Sequence, residues 1–479
     1  MIEDELISPA EEGHLGYSKI DVDLLNEIQE IIPAGRLLYK REDIERYSHD
    51  ETEDLRFYPE LVVLPESVEE ISRLLSFCTQ YHIPVTARGA GTGLAGGALP
   101  VFGGIVLSLE RLDRVLEIDE RNLQATVESG IITQKLMDAA AEKGLLYPID
   151  PASKGSCFIG GNIANGSGGP RVVKYGTIRD YVLNLEVVLP SGEVIWTGAN
   201  TLKNSSGYSL TQLFIGSEGM LGIVTKAVLK LVPKPKHDML MMASFPSNEL
   251  ACEAVGHVFR NGIVPSALEF MERTGIEWVM RYDDVHFDLK EGAQAFLLIE
   301  LDGNNTEILM EEAEAIFKVL DAHQAMDVLL ADTVAQKEAL WNMRRRMGVS
   351  VKSNSVYKEE DTVVPRAELP KLISGVKVLG KKYGFGSICY GHAGDGNLHI
   401  NIIKGAMSDA DWATKLKEGI KELFELTVAL GGTISGEHGI GLVQRQYMPI
   451  KYSHIHLALL KGIKQLFDPK NILNPGKIY

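Results

Sequence analysis

The sequence predicts an α+β chain of more than one domain. Three observations carry this. The chain has 479 residues, more than one compact core usually holds. Over 61–232, short apolar runs alternate with helical periodicity and are cut by glycine-rich loops. After the break Pro233-Lys-Pro-Lys236, strand and helix patterns alternate again.

The elements follow in order. Leu61–Leu64 is a short β-type run. Ser67-Val-Glu-Glu70 reads as a capping box, and Val68, Ile71, Leu74, Leu75 and Cys78 follow with helical spacing. Pro84–Ala87, Ile105–Leu109 and Ala125–Glu128 read as strands. A helix from about Thr133 stops near Gly144. Leu183–Leu189 is a strand, turned by Pro190-Ser-Gly-Glu193 into another. Beyond the break, Met239–Phe245, Ser266–Phe270 and Ala295–Leu301 read as strands, and Glu249–Asn261 and Glu307–Ala322 as helices. That alternation predicts a sheet covered by helices on one face, of ferredoxin-like type. Helical patterns follow near 333–350, 367–383 and 408–430. The expected division is 1–232, with 1–55 as a helical lead-in, then 233–440, then a segment 441–479 that returns to the first part.

Composition excludes several classes. Hydrophobic residues make up 45% and charged residues 24%, ordinary for a globular chain. Lys+Arg is 48 against Asp+Glu 65, a net charge of −17, which argues against nucleic-acid partners. Cys78, Cys157, Cys252 and Cys389 are far apart and form no CxxC. A disulfide framework, a four-cysteine zinc site and an iron–sulfur cluster are therefore not expected. Met1–Gly16 is acidic and has no signal-peptide pattern. No apolar run approaches the roughly 18 residues of a spanning helix. The expected location is the cytoplasm, with membrane association only through partner subunits.

Arg88 to Gly97 holds five glycines in ten residues. Gly91, Gly93 and Gly96 satisfy GxGxxG, but that dinucleotide fingerprint needs a helix at the third glycine. Here the chain runs on through Ala98-Leu-Pro100 toward a strand, so the NAD reading is rejected. What remains is glycine backbone able to approach a pyrophosphate with its N–H groups; a plain structural turn explains the composition less well. A second loop, Pro151 to Gly169, is rich in small residues and suits a flat ring system. A third, Gly216 to Thr225, is a glycine turn feeding a strand.

These segments (Ile83–Gly97, Gly160–Gly169, Lys174–Gly176 with Arg179–Glu193, and Gly216–Val224) resemble the flavin domain of the vanillyl-alcohol oxidase / p-cresol methylhydroxylase superfamily. The resemblance implies a two-part FAD-binding domain of the p-cresol methylhydroxylase type, with the pyrophosphate on the 88–97 loop. The implied FAD contacts are Arg88, Gly89, Ala90, Gly91, Thr92, Gly93, Gly96, Gly97, Pro151, Ser153, Gly160, Gly161, Asn162, Ala164, Asn165, Gly168, Gly169, Tyr175, Gly176, Glu218, Gly222, Ile223, Val224 and Asn474. Some relatives link FAD covalently through histidine, cysteine or tyrosine. The first loop has none of these, so dissociable FAD is expected.

In the C-terminal half, Tyr390 to Asn401 places His392 and His399 seven residues apart across a glycine turn. Gly431 to Gly441 places Glu437 beside His438 in another glycine-rich loop. His392, His399 and Glu437 make a set of two imidazoles and a carboxylate. That set suits zinc, or iron or manganese, with open coordination positions. One histidine alone would read as a satisfied core residue; three with a glutamate in two such loops read as a site.

These segments, with Phe467–Lys477, resemble the D-lactate dehydrogenase, glycolate oxidase and D-2-hydroxyglutarate dehydrogenase group. The resemblance runs from about residue 60 to the end. It implies His392, His399 and Glu437 as ligands of one divalent metal, zinc first, and His438 as the base. Leu340 to Arg344 matches the segment whose arginine holds the substrate carboxylate. Lys358 matches a second anchor, although the chain is one residue longer before Pro365. Tyr390 and Asn397 of the histidine motif are assigned to the substrate as well. Arg345 and Arg346 adjoin Arg344, and at least one reads as solvated helix face.

The implied chemistry is oxidation of a small D-2-hydroxy acid, D-lactate or glycolate first, to the 2-oxo acid. The hydroxyl proton goes to His438 and the hydride to flavin N5. Electrons leave to an acceptor other than NAD: electron-transferring flavoprotein, quinone-linked subunits or oxygen. A homodimer or a hetero-complex is compatible with this. Two rivals stand beside it. One is a non-redox FAD enzyme of the alkyl-glycerone-phosphate synthase type. The other is a flavin subunit serving mainly to dock an electron-transfer assembly.

Overall fold

The computed structural model of the chain describes residues 16–479. The reading of Met1–Gly16 falls, Gly16 apart, outside the described residues. The chain divides into two compact units. The first takes the chain up to Gly168, Thr177–Lys234 and Glu437–Tyr479; the second takes Gly169–Gly176 and Pro235–Gly436.

The first unit opens on helix α1 (Val22–Gln29), where Leu24 N–H donates to the Asp21 carboxylate. Strands β1 (Leu37–Leu38), β2 (Leu61–Val63), β3 (Val85–Arg88) and β4 (Ile105–Ser108) form a sheet of order β1-β2-β4-β3. β2, β4 and β3 run parallel. Helix α2 (Val68–Tyr81) is the crossover between β2 and β3. A parallel sheet is covered on both sides, so its strands read as unbroken apolar runs; Leu61–Val63 and Ile105–Leu107 are accordingly buried. Half of the expected capping box forms. Glu70 N–H donates to Ser67 Oγ at 3.2 Å, but the Glu70 carboxylate turns to Arg36 and the Glu66 N–H instead.

A second sheet follows: β5 (Val115–Asp119), β6 (Gln124–Glu128), then, after helix α3 (Thr133–Glu142), β7 (Leu145–Leu146) and helix α4 (Ile159–Asn165), the strands β8 (Val182–Val188), β9 (Val194–Trp196) and β10 (Ile223–Lys230). Its order is β5-β6-β10-β8-β9, antiparallel throughout. β11 (Val232–Pro233) pairs with β7. The stretch 151–169, which reads as one loop in the sequence, holds α4 at its centre. No helix follows Gly97; the chain runs through Ala98–Pro100 to β4.

The second unit comprises β12 (His237–Phe245), α5 (Asn248–Arg260), β13 (Ala267–Glu272), α6 (Arg273–Asp283), β14 (Ala295–Gly303), α7 (Thr306–Ala322), β15 (Asp327–Ala331), α8 (Val334–Arg345), α9 (Met347–Asn354), β16 (Tyr357–Val363), α10 (Leu369–Tyr383), β17 (Gly386–Gly391), β18 (Asn397–Ile403) and α11 (Asp409–Ala429). The strands form one antiparallel sheet, β15-β12-β14-β13-β17-β18-β16. The helical pattern near 333–350 is thus two helices that meet at Arg346.

Register assigns the sheet's two faces. Met271 opposes Tyr390, Tyr390 opposes His399, and His399 opposes Asp361, so these side chains share one face with Glu269. That face packs on α6, α8 and α9 through Met271, Phe296, Leu298, Ile276, Leu340 and Met347. Glu272 lies on the other face, where it meets Asn248 of α5 and Lys377 of α10. The expectation of helices on one face is therefore corrected to both. The unbroken apolar run Phe296–Ile299 in β14 is what double burial requires.

Gly169–Gly176 packs on this second unit. Arg171 pairs with Glu300 at 3.2 Å, and the Tyr175 hydroxyl donates to Asp302 at 2.7 Å. Past Gly436 the chain is again in the first unit, where it forms α12 (His454–Phe467) and lays Leu473 parallel to Val85. Among the described residues, no helix is long and apolar enough to cross a membrane.

Candidate active site

The first unit contains a cleft of about 240 Å³ walled by the three glycine-rich loops. Arg88–Gly93, Gly97, Pro151, Ser153, Gly160–Asn162, Ala164, Asn165, Glu218 and Gly222–Val224 line it. Glu437 and His438 line the same cleft.

Each loop is fixed from behind. Arg88 ends β3, and its buried guanidinium donates to the carbonyls of Arg46 (3.0 Å) and His49 (2.8 Å). Gly91, at φ +74°, passes over that guanidinium so closely that a Cβ would lie 2.1 Å from Nη2. Arg88 thus braces the loop. On the second loop, Gly160 N–H donates to Ser129 O at 2.7 Å, and Asn162 Nδ2 to Thr133 Oγ1 at 2.7 Å. Glu218 N–H donates to Ala164 O at 2.9 Å, joining the third loop to α4.

The glycines of the cleft fall into two groups. A Cβ on Gly160 would lie 2.7 Å from Ser129 Cβ, and one on Gly222 would lie 2.6 Å from Val187 Cγ1. These are glycines because the protein's own packing needs them. A Cβ on Gly161 meets nothing within 4 Å, and one on Gly89, Gly93 or Gly97 meets nothing closer than 3.7 Å. The protein's own atoms do not require glycine at these four. Backbone without a Cβ is what a flat ligand would need to approach closely here.

Not every expected contact reaches the cleft. Gly96, at φ +70°, backs onto Leu442, where a Cβ would lie 3.2 Å from the leucine Cβ. Asn474 instead bridges two loops, its Nδ2 donating to Gly97 O (2.9 Å) and Glu218 O (2.8 Å). Gly169, Tyr175 and Gly176 belong to the second unit, and Gly168 ends the first segment before it. None of these six lines the cleft. Phe158, Ser217 and Gly219, absent from the sequence reading, do. Cys157 also lines it, with Sγ 3.3 Å from Thr133 Oγ1. All four cysteines are free and buried.

In the second unit, His392 and His399 stand edge to face with ring centroids 5.4 Å apart. The His392 Nδ1 lies 2.8 and 2.9 Å from the two oxygens of Glu269. That leaves Nε2 as the nitrogen for a further partner, the carboxylate–histidine arrangement seen behind metal-binding imidazoles. Glu269 is fully buried. Burial alone would raise its carboxyl, but His392 and Arg344 hold it below the ordinary range. Arg344 Nε donates to Glu269 Oε2 at 2.7 Å, and the guanidinium carbon lies 5.0 Å from the Tyr390 ring centroid. The Arg344 Nη2 is 2.7 Å from the same oxygen, yet it is a buried donor with no aligned acceptor. Burial pushes the Tyr390 hydroxyl far above its usual range.

Asp361 ties the two histidine-bearing segments together. It accepts Asn397 Nδ2 at 2.6 Å, Ser435 Oγ at 3.0 Å and Gly436 N–H at 2.7 Å. Asn397, expected at the substrate, also donates to Thr362 O at 2.9 Å. Lys358 corrects the sequence reading. It pairs in register with Ile402, so strand alternation puts it on the face opposite His399 and Asp361. Glu359 takes the near face instead, with Oε1 3.5 Å from His399 Nδ1. Arg346 is held by Asp283, and Arg345 lies over Trp341. Sequence reasoning missed Glu269 and Asp361; the one signal for Glu269 is an acid inside the apolar run Ala267–Met271.

Residues 59–198 match the FAD binding domain family, and residues 234–478 match the family described as FAD linked oxidases, C-terminal domain. The chain is 40% identical over 449 residues to glycolate oxidase subunit GlcD of Bacillus subtilis, covering 93% of each chain. It is 37% identical over 471 residues to D-lactate dehydrogenase of Anaerostipes hadrus, covering 96% of this chain and 98% of that one. It is 35% identical over 462 residues to D-2-hydroxyglutarate dehydrogenase of Xanthomonas citri pv. viticola, covering 94% and 96%. Among solved structures, p-cresol methylhydroxylase with substrate bound superposes with a TM-score of 0.76 at 17% identity, covering 96% of this chain and 98% of that one. Alkyldihydroxyacetonephosphate synthase superposes at 0.74 and 19%, covering 96% and 86%. At such identities the structural likeness establishes the fold alone.

Proposed function

Because this chain belongs to the FAD-linked oxidases, we propose that it oxidises a small D-2-hydroxy acid, D-lactate or glycolate, to the 2-oxo acid. It is an FAD-dependent oxidoreductase. The observation that carries the reading is that His438 lines the same cleft as the glycine loops. FAD, when bound there, supplies a hydride acceptor at N5.

A divalent cation, zinc first and iron or manganese next, is assigned to His392, His399 and Glu437. The donor set supports it: two imidazoles and one carboxylate leave positions for substrate. So does the charge on the second unit's site face, where Glu269, Glu359 and Asp361 outnumber Arg344. Such a cation, held there, would lower the pKa of a hydroxyl beside it, and His438 would take the hydroxyl proton. Arg344 holds the substrate carboxylate through its unaligned Nη2 donors, with Tyr390 beneath it. With FAD held in the cleft, what these residues would contribute to hydride transfer is positioning of the substrate.

Arg344 is the one cation of this face assigned to a substrate carboxylate. Arg171 and Lys174 are committed to Glu300 and Asp302. A substrate with a single carboxylate matches that one assigned anchor, and D-lactate and glycolate are therefore proposed ahead of D-2-hydroxyglutarate. FAD is proposed to be non-covalent, and the electrons to pass to electron-transferring flavoprotein or quinone-linked subunits. The strand that follows Gly97, in place of a helix, supports an acceptor other than NAD.

The test is anaerobic mixing of the purified flavoprotein with a panel of D- and L-2-hydroxy acids. Flavin bleaching by D-lactate or glycolate, with little by the L-enantiomers, is expected. No bleaching by any of them would overturn the reading in favour of a non-redox enzyme. Dye-linked turnover by the isolated chain would show that it holds the whole active site without a docked assembly.

A further inference from the structure

The loop that carries Glu437 and His438 contains Gly436, Gly439 and Gly441. Such a segment has wide backbone freedom, yet a proton acceptor has to stay within hydrogen-bond reach of its substrate. Something must hold the loop, and the first unit supplies it. Two and three residues after His438, Ile440 N–H donates to Glu218 Oε1 at 2.7 Å and Gly441 N–H donates to Glu218 Oε2 at 2.8 Å. Successive N–H groups converge on one carboxylate, the backbone pattern that grips an anion. Gly439, at φ +84°, passes so close that a Cβ would lie 2.9 Å from Glu218 Oε1.

Glu218 is itself immobilised. It is buried, with φ +51°. Its N–H donates to Ala164 O, and its carbonyl accepts Asn474 Nδ2 at 2.8 Å. Asn474 Oδ1 in turn accepts buried Lys477 Nζ at 3.2 Å. Leu442 N–H donates to Ala95 O at 2.8 Å, extending the hold along the loop. Both carboxylate oxygens are thus spent on the loop. The resemblance implied Glu218 as an FAD contact, and the residue does line the cleft.

We propose that Glu218 is a positioning residue for proton abstraction: its carboxylate fixes the Gly439–Gly441 backbone and thereby sets the place of the His438 imidazole on the cleft wall. This rests on the reading of His438 as the proton acceptor. The flank before Glu437 is held similarly within the second unit, where Asp361 accepts the Gly436 N–H.

The experiment compares Glu218→Gln, Gly439→Ala and the double variant as holoenzymes in single-turnover flavin reduction by D-lactate or glycolate. His438→Ala serves as the reference. In Glu218→Gln an amide NH₂ replaces one acceptor and faces an N–H donor. A misplaced base costs on the order of 100-fold in rate. The expected result is a fall of about that size at saturating substrate, with KM and FAD content held. Gly439→Ala removes no buried charge, so it tests the same contact if Glu218→Gln folds poorly. If both act through one contact, the double variant is no slower than the slower single. Parental reduction by Glu218→Gln alongside a dead His438→Ala would overturn this inference and leave the proposed function standing. Loss of FAD from Glu218→Gln would also overturn it, by placing the carboxylate at the cofactor. A fully active His438→Ala would instead remove the reading beneath it.

Discussion

Two neighbouring glycines on α4 should respond to the same substitution with opposite signs. An alanine at Gly161 meets no protein atom within 4 Å, and Gly161 lines the cleft. In the folded chain without flavin, helix propensity favours that alanine by about 1 kcal/mol. The added methyl then occupies space at the cleft wall. Overpacking a well-fitted contact costs about 1–3 kcal/mol, so FAD should bind about 10- to 100-fold more weakly. At Gly160 the methyl would lie 2.7 Å from Ser129 Cβ and 2.9 Å from Ser129 O. That carbonyl is the acceptor of the Gly160 N–H, so neither backbone can yield without losing the bond. The same overpacking cost now falls on the fold and exceeds the propensity gain. Thermal unfolding of the deflavinated proteins, with titration of FAD by flavin fluorescence, separates the two. Gly161→Ala should melt at or above the parent and bind FAD poorly; Gly160→Ala should melt below it. Parental FAD affinity in Gly161→Ala would refute the argument that open glycines mark the cofactor.

The flavin should come free of the chain on acid precipitation, since Arg88–Gly97 offers no linking side chain and Cys157 Sγ packs against Thr133; flavin retained on a denaturing gel would contradict this. Arg344→Lys keeps the charge but loses the planar fork, so KM for the hydroxy acid should rise about 10- to 100-fold. An unchanged KM would show that Arg344 is not the carboxylate anchor.

The glycine loops were legible in the sequence because close backbone approach to a ligand leaves a compositional trace. The helix inside the second loop was not. Ile159–Asn165 has two glycines and two asparagines, poor helix formers, and it is held by long-range bonds from Gly160 to Ser129 and from Asn162 to Thr133. Glu269 was missed because its partner His392 lies 123 residues along the chain, and no local pattern links them. Lys358 shows what a motif match cannot see: paired with Ile402, it lies by strand alternation on the face opposite His399 and Asp361. The transfer of Gly169–Gly176 to the second unit depends on Arg171, Lys174 and Tyr175 meeting Glu300 and Asp302. Nothing in composition announces such pairings. Glu218 was legible as part of the glycine turn that lines the cleft, but its bonds to Ile440 and Gly441, 222 and 223 residues along the chain, were not.

The cation assignment is the part of the account on which the chemistry turns, and one measurement reaches it most directly. The holoenzyme is exhaustively chelated, its metal content is measured, and anaerobic flavin reduction by D-lactate or glycolate is followed before and after a single divalent ion per chain is restored. Chelation should abolish reduction while the flavin spectrum and the unfolding midpoint stay close to those of the parent, and restoring the ion should restore the rate. A cation on His392 requires the same loss in His392→Ala, without recovery. A metal-free enzyme that still reduces its flavin at the parental rate would contradict it.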